Sequence, residues 1–98
     1  MARPEKLTLE VPTAAGVGKA ENLFRFRDKT VQFGGTFVAT LQLEGSLDGN
    51  EYAAIGAPVT APGLVAVPVT VEFLRVRVVA FASGTPKATA AGFDFRAM

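Results

Sequence analysis

The stretch over residues 37–52 constrains the fold of this chain most strongly, because a strand pattern is followed at once by a tight turn. Apolar side chains occupy every second position from Phe37 to Leu43, and polar side chains follow at positions 40, 42 and 44. This two-residue period is typical of a strand with one buried face. Asp48-Gly49-Asn50 then supplies residues that favour hairpin turns. We therefore predict a β-hairpin whose returning strand spans residues 51–55.

Alternating apolar and polar residues, bounded by Gly and Pro, predict further short strands along the chain. These segments are residues 6–11, 23–27, 30–33, 65–71, 73–82 and 88–96. The strongest pattern, residues 73–82, is the expected partner of the first hairpin strand. Pro68 lacks an amide hydrogen, so its strand is expected at a sheet edge or with a bulge. About eight short strands without a helical period predict an all-β fold, an antiparallel β-sandwich or jelly-roll-like domain.

The remaining segments are predicted to be loops, turns and a terminal arm. Residues 13–22 contain two glycines and little bulk, which indicates a loop. Asp28-Lys29 and residues 83–86 are predicted turns, and residues 1–6 a loose N-terminal arm. The 98 residues are expected to form a single domain.

The predicted core lies on the inner faces of the two strongest strands. Its members are Leu41, Leu43, Leu74, Val76 and Val78. Val79 and Phe81 continue the every-second-residue series of the polar Arg75 and Arg77. In a regular strand they would therefore have this same parity and point away from the core. Three explanations remain open: a bulge, an exposed apolar patch that binds a partner, or a second layer covering them.

Composition argues against most kinds of chemistry. The chain has no His and no Cys, so the usual triads, proton shuttles and soft-metal sites lack their residues. Ten basic and nine acidic residues give a net charge of +1, without the basic excess typical of nucleic-acid binding. No apolar run is long enough to span a membrane. We therefore expect no catalytic residues, no cofactor and no metal, and neither nucleic acid nor membrane as a partner.

Three local motifs have competing interpretations. Gly16-Val17-Gly18-Lys19 lacks the earlier Gly and the following Ser or Thr of a phosphate loop, which favours a plain loop. The oxygen-bearing residues 48, 50 and 51 suit calcium, but they also suit a tight turn, which we favour. Arg75 and Arg77, like Arg25 and Arg27, form either a basic stripe for an acidic partner or a solvated face. Glu44 is a candidate cross-strand partner in the second case.

Two of these segments resemble a recurrent pattern in small virion proteins of tailed bacteriophages. The pattern combines the turn Glu44-Gly45-Ser46-Leu47-Asp48-Gly49 before an aromatic residue, here Tyr52, with a later strand that contains Phe73-Leu74-Arg75-Val76. A Gly84-Thr85 turn and a last strand complete it. The resemblance covers most of residues 23–95. The aromatic residue after the turn is often Trp in this pattern, whereas this chain has Tyr.

The resemblance implies a non-enzymatic β-sandwich structural protein of the virion, assembled in the host cytoplasm. A head decoration, or cement, protein on the capsid lattice is the favoured role. A tail or baseplate component is the alternative within this class, and a carbohydrate-binding module is the alternative outside it. The expected partners are the major capsid protein and further copies of this chain, with a trimer expected by family analogy.

Candidate partner contacts come from the edge segments and from the outer face of the strongest strand. Edge residues between Pro58 and Pro68 carry more apolar surface than a solitary edge normally exposes. The candidates are Val59, Leu64, Val65, Val67, Arg75, Arg77 and Phe81.

Overall fold

The computed structural model describes residues 3–23 and 25–94, and strands account for most of them. Their bounds are β1 (Arg3–Leu9), β2 (Gly16–Val17), β3 (Glu21–Asn22), β4 (Phe26–Gly34), β5 (Phe37–Ser46), β6 (Ala53–Ala54), β7 (Gly63–Ala66), β8 (Phe73–Gly84) and β9 (Lys87–Asp94). No helix occurs within these ranges.

The strands form two antiparallel sheets that pack face to face. One sheet has the order β1-β9-β4-β7, and the other has the order β2-β8-β5-β6, with β3 also paired to β8. The predicted all-β sandwich is therefore confirmed. The predicted hairpin is present as β5 and the short β6, and the predicted partner of β5 is indeed β8.

The core between the sheets contains all five residues that the alternation predicted. Leu41, Leu43, Leu74, Val76 and Val78 are each at most 1% exposed. The facing sheet contributes Phe33 and Val31 from β4, opposite Ala88 and Ala90 of β9. Small residues of β9 thus lie beside large residues of β4, so the two strands together fill the space.

Two neighbouring connections carry the chain from one sheet to the other. Residues 35–36 join β4 to β5, and residues 85–86 join β8 to β9. The Thr85 amide donates a hydrogen bond to the Thr36 carbonyl at 2.8 Å. Gly84 has φ of 100°, and a Cβ there would collide with the Thr36 carbonyl oxygen. Glycine is required at this corner because both the conformation and the close approach exclude a side chain.

Two bulges in β8 settle the question of its apolar outer residues. The register with β5 shifts twice, so that Val79 and Ala82 are extra residues on β8. The first bulge restores Phe81 to the inner side, where it packs against the core, and leaves Val79 exposed. The bulge explanation is therefore correct for Phe81.

A third bulge corrects the predicted turn at Asp28-Lys29. Both residues lie within β4, where the register with β9 shifts between Arg27 and Thr30. Asp28 has φ of 55°, a left-handed conformation that Asp tolerates better than most residues. The extra residue changes the parity of the strand, and Lys29 consequently lies on the buried side.

Several predicted boundaries were wrong at the ends of the sheets. The predicted loop over residues 13–22 contains β2 and β3, which pair with β8. The predicted arm is part of β1 from Arg3 onward, while Met1 and Ala2 lie outside the described residues. The strand predicted over residues 23–27 begins only at Phe26, and Phe24 is not described.

One more correction concerns β7, and β9 shows which of its faces is buried. The strand predicted over residues 65–71 is the edge strand β7, which ends at Ala66, before Pro68. In the last strand, β9, the inner residues are Ala88 and Ala90, and Ala91 and Phe93 have the opposite parity. Phe93 is exposed, and Phe95 lies outside the described residues.

We predict that Leu74→Ala lowers the free energy of unfolding by about 2–5 kcal/mol, because it leaves a cavity in a fully buried site. Leu47→Ala is the matched control, since Leu47 is exposed in the hairpin turn. Urea unfolding of both variants measures the difference. A loss below about 0.5 kcal/mol for Leu74→Ala would contradict the core assignment.

We predict that Gly84→Ala destabilises the protein by about 1–3 kcal/mol or more, because it combines a positive φ with a backbone collision. Gly34→Ala is the control: a Cβ at Gly34 meets no atom within 4 Å. Thermal and urea unfolding should separate the two variants. Equal stabilities would show that the corner adjusts without strain.

Candidate interaction surfaces

The outer face of β5 is covered by residues 47–60, which follow it in the chain and are called the covering segment below. Residues 41–46 are buried on both faces of the strand. Leu41 and Val59 exchange backbone hydrogen bonds of 2.7 and 2.8 Å, which fasten the covering segment to the sheet. Gln42 Nε2 donates to the carbonyl oxygens of Leu43, Ile55 and Gly56 at 2.9–3.3 Å. The polar face of this strand therefore serves the fold and is not open to a ligand.

Glu44 is the centre of an ion-pair network on the same face. Its two carboxylate oxygens accept hydrogen bonds from Arg75 Nε at 2.8 Å and from Arg77 Nε at 2.9 Å. The guanidinium of Arg75 also stacks over the Tyr52 ring, 3.7 Å from its centroid. The predicted cross-strand pairing with Glu44 is thus present. Arg77 is the more exposed of the two arginines.

The Glu44 carboxylate has its pKa shifted by opposing effects. Burial raises the pKa, but hydrogen bonds and charges from Arg75 and Arg77 lower it further than burial raises it. The net pKa lies below the ordinary value of 4.5. The network therefore stabilises the ionised form of Glu44.

The hairpin turn is held by its own side chains. Asp48 Oδ1 accepts hydrogen bonds from the amides of Asn50 and Glu51 at 2.8 and 3.0 Å and from Ser46 Oγ at 2.9 Å. Hydrogen bonds from the backbone amides of Glu51 and Asn50, and from the side-chain hydroxyl of Ser46, lower the pKa of Asp48. Ser46 Oγ in turn accepts from the Gly49 amide at 2.9 Å. The turn interpretation thus accounts for Asp48, and no cluster of acidic residues suited to a metal occurs in the described part of the chain.

A cleft of about 920 Å³ opens where β4 begins and where the chain crosses from β7 to β8. Its lining residues are Asn22, Arg25, Phe26, Arg27, Asp28, Lys29, Val67, Pro68, Val69, Thr70 and Glu72. Lys29 is only 7% exposed, and burial lowers its pKa more than the nearby Asp28 raises it. The sequence did not indicate Lys29, because the bulge that turns this residue inward cannot be recognised from the alternation of apolar and polar residues. The Arg25 guanidinium lies 4.5 Å from the centroid of the Phe26 ring.

The candidate contact residues are placed at different depths. Leu64, on the edge strand β7, is 72% exposed, and Val65 beside it is half-buried. Val59 and Phe81 are half-buried against the core, and Val67 belongs to the core. Val67 therefore offers little surface to a partner. Contacts between these residues and a partner stay a prediction.

A second apolar surface lies near the corner between the sheets. It is a groove of about 470 Å³ lined by Phe37, Val38, Ala39, Thr40, Thr60, Ala80, Phe81 and Ala82. Val38 and the bulge residue Val79 are both exposed in this region of β5 and β8. The sequence indicated Val79 and Phe81 through their parity, but it gave no reason to select Val38.

Comparison with known proteins finds a similar solved structure but no family. No protein-family model matches the chain, and no curated protein matches its sequence. The crystal structure of the SPBc2 prophage-derived protein YomS is similar, with a TM-score of 0.79 over 95% of each chain. The two sequences are 12% identical, so the likeness shows a shared fold alone. Within the described ranges, no helix has the length and apolar character needed to cross a membrane.

We predict that Glu44→Gln lowers the free energy of unfolding by about 1.5–3 kcal/mol at pH 7, because charge-assisted hydrogen bonds to both arginines are weakened. Since the folded pKa of Glu44 is depressed, its contribution is present above the ordinary value of 4.5 and is lost as pH falls through the folded value. The difference between wild type and variant should therefore shrink between pH 7 and pH 3.

Urea unfolding at both pH values measures this change. Glu51→Gln is the control, because Glu51 is exposed and its side chain lies outside the network. A difference for Glu44→Gln that is equal at both pH values would contradict the electrostatic explanation.

Proposed function

We propose that this chain is a non-enzymatic structural protein of a bacteriophage virion, and specifically a decoration protein that stabilises the head lattice. The observation that carries the proposal is the fold shared with prophage-derived YomS along nearly the whole of both chains. The turn and strand motifs at residues 44–49 and 73–76 support the same class independently. Its location is then the virion, after assembly in the bacterial cytoplasm.

The internal roles of the polar side chains support a structural function. Glu44 is hydrogen-bonded to two arginines, Asp48 to the backbone of its own turn, and Gln42 to carbonyl groups of the covering segment. A catalytic group needs to reach a substrate, and these groups already form hydrogen bonds within the fold. A chain without His or Cys has few other means of acid–base or nucleophilic chemistry at neutral pH.

The edge strand β7 is the surface best suited to a partner subunit. Within the described part of the chain it pairs only with β4, so its other side presents free backbone groups. Leu64 adds an exposed apolar side chain to this edge. Backbone pairing and apolar burial together give a short edge strand the means to join a neighbouring chain.

We assign self-association and lattice binding to the same surface. We propose a homo-oligomer, a trimer by family analogy, that contacts the major capsid protein at several points at once. Repeated weak contacts would then combine through avidity.

A tail or baseplate component is the second candidate, because the fold likeness to YomS does not distinguish parts of the particle. A carbohydrate-binding module has less support. Such modules use exposed aromatic platforms, whereas the single Tyr of this chain has Arg75 stacked on its ring.

We predict that the purified protein co-sediments with capsids built from the major capsid protein of its phage, and that light scattering gives the mass of about three chains.

Leu64→Ser should weaken capsid binding or self-association about tenfold, because an exposed apolar anchor at the edge is lost. Leu47→Ser is the matched control, since Leu47 is similarly exposed but lies in the hairpin turn.

The outcomes separate the alternatives. If the protein is a monomer in solution but still binds capsids, only the hypothesis of a preformed oligomer is excluded. Binding to purified tails instead of capsids favours the second candidate, and a monomer that binds neither overturns the virion proposal.

A further inference from the structure

The cleft beside β4 contains a charged group in an unusual position. Lys29 lines this cleft and is 7% exposed, while the other inner residues of β4 are the apolar Phe26, Val31 and Phe33. The bulge at Asp28 is what brings the lysine to this side of the strand. A one-residue change in register would have placed it in solvent at no electrostatic cost.

The ammonium group of Lys29 has no acceptor of its own in the described part of the chain. Lys29 appears in none of the side-chain hydrogen bonds or ion pairs there, and the charge that acts on its pKa is that of the exposed Asp28. Every fully buried side-chain nitrogen and oxygen in the same part has a hydrogen-bond partner. The ammonium of Lys29, which has none, therefore reaches solvent through the cleft.

A purely structural explanation is available for such a lysine. Its methylene groups pack against apolar surface, and the charged end extends to water. That explanation accounts for the stem. It leaves unexplained why a strand with three apolar inner residues holds a cation there, since burial disfavours its charged form.

We propose that the cleft binds an acidic segment of a partner protein, and that a Glu or Asp carboxylate of this segment pairs with the ammonium of Lys29. The inference rests on the proposed function in one respect, namely that the carboxylate is supplied by a protein partner. It does not depend on which part of the particle supplies it.

The lining of the cleft favours a single carboxylate over a polyanion. The lining contains Asp28 and Glu72 among Arg25, Arg27 and Lys29, so the charges of the cleft are mixed. A phosphate chain or nucleic acid would meet the two carboxylates as well as the cations. Pro68 and Val69, which are both exposed, provide apolar surface for the methylene stem of an acidic side chain. A carboxylate at Lys29 would pair with an ammonium group that has already lost part of its hydration on folding, so less water has to be removed when the ion pair forms.

The size of the cleft suits an extended segment of several residues. A volume of about 920 Å³ lies in the upper range of ligand sites in proteins. The lining residues 67–70 follow directly after the edge strand β7. A segment that enters here therefore lies next to the edge that we propose for subunit contact.

The test uses the isolated protein and a capped five-residue peptide with one central Glu, compared with its Gln counterpart. NMR signals of the Lys29 side chain report binding directly. We expect the Glu peptide to shift these signals and to bind about tenfold more tightly than the Gln peptide, because one charge-assisted hydrogen bond distinguishes them. Inorganic phosphate at matched ionic strength is the third probe.

Two variants make the assignment specific. Lys29→Met keeps an apolar stem without the charge and should bind both peptides equally weakly. Lys19→Met is the control, because the Lys19 side chain is 72% exposed and lies outside the lining. It should preserve the preference for the Glu peptide. The unfolding midpoint of Lys29→Met should equal or exceed that of the wild type, since a desolvated charge is removed.

Three results would overturn the proposal: no shift of the Lys29 signals, equal affinity for both peptides, or an unchanged preference in Lys29→Met. A response to phosphate alone would overturn it in favour of a phosphate ligand. The wild-type NMR titration decides the question even if Lys29→Met does not fold. Failure of capsid binding with a positive peptide result would count against the virion proposal alone.

Discussion

The pairing of β5 with β8 is the interaction on which the rest of this structure depends. Ten residues of β5 pair with β8, and the inner faces of the two strands supply the leucines and valines at the centre of the core. Their outer faces bring Glu44 beside Arg75 and Arg77. At one end, the same two strands continue through the glycine corner into β4 and β9 of the opposite sheet. One register therefore sets the core, the ion-pair network and the position of the second sheet.

The fold was largely predictable because short-range patterns, namely two-residue alternation and turn residues, indicate this register. Alternation over residues 39–44 and 74–78 identified both strands and their buried faces, and Asp48-Gly49 identified the hairpin turn. The polar partner of the two arginines followed from the same parity. Alternation did not show which face of the last strand is buried. The last strand buries its alanines and exposes Phe93, because the neighbouring Phe26 and Phe33 of β4 already occupy the interior. A residue's size does not reveal which of two adjacent strands fills a given space.

The surfaces for partners were less predictable than the fold, and the bulges explain why. Each extra residue exchanges the two faces of a strand from that point on. In β8 the change returns Phe81 to the inner side, where it packs against the core, and in β4 it brings Lys29 inward. The dipeptide Asp28-Lys29 suits a turn equally well, so local propensity could not distinguish a turn from a bulge. Only the pairing of β4 with β9 on both sides of Asp28 makes that distinction.

The covering segment over residues 47–60 decides which surfaces remain for binding. It removes the polar face of β5 from solvent and places Tyr52 on Arg75. Glu44, Arg75 and Arg77 therefore interact mainly with one another within the fold. Exposed apolar residues remain at the corner and on β7, and the cleft lies at the end of β7. Leu64 pairs with Gln32, three residues from Lys29, which corresponds to about 10 Å along β4. An extended segment added to the free side of β7 would therefore meet the apolar side chain of Leu64 first and the Lys29 cleft next. Edge pairing, apolar contact and a single charge would act together on one such segment, which is more selective than any of the three alone.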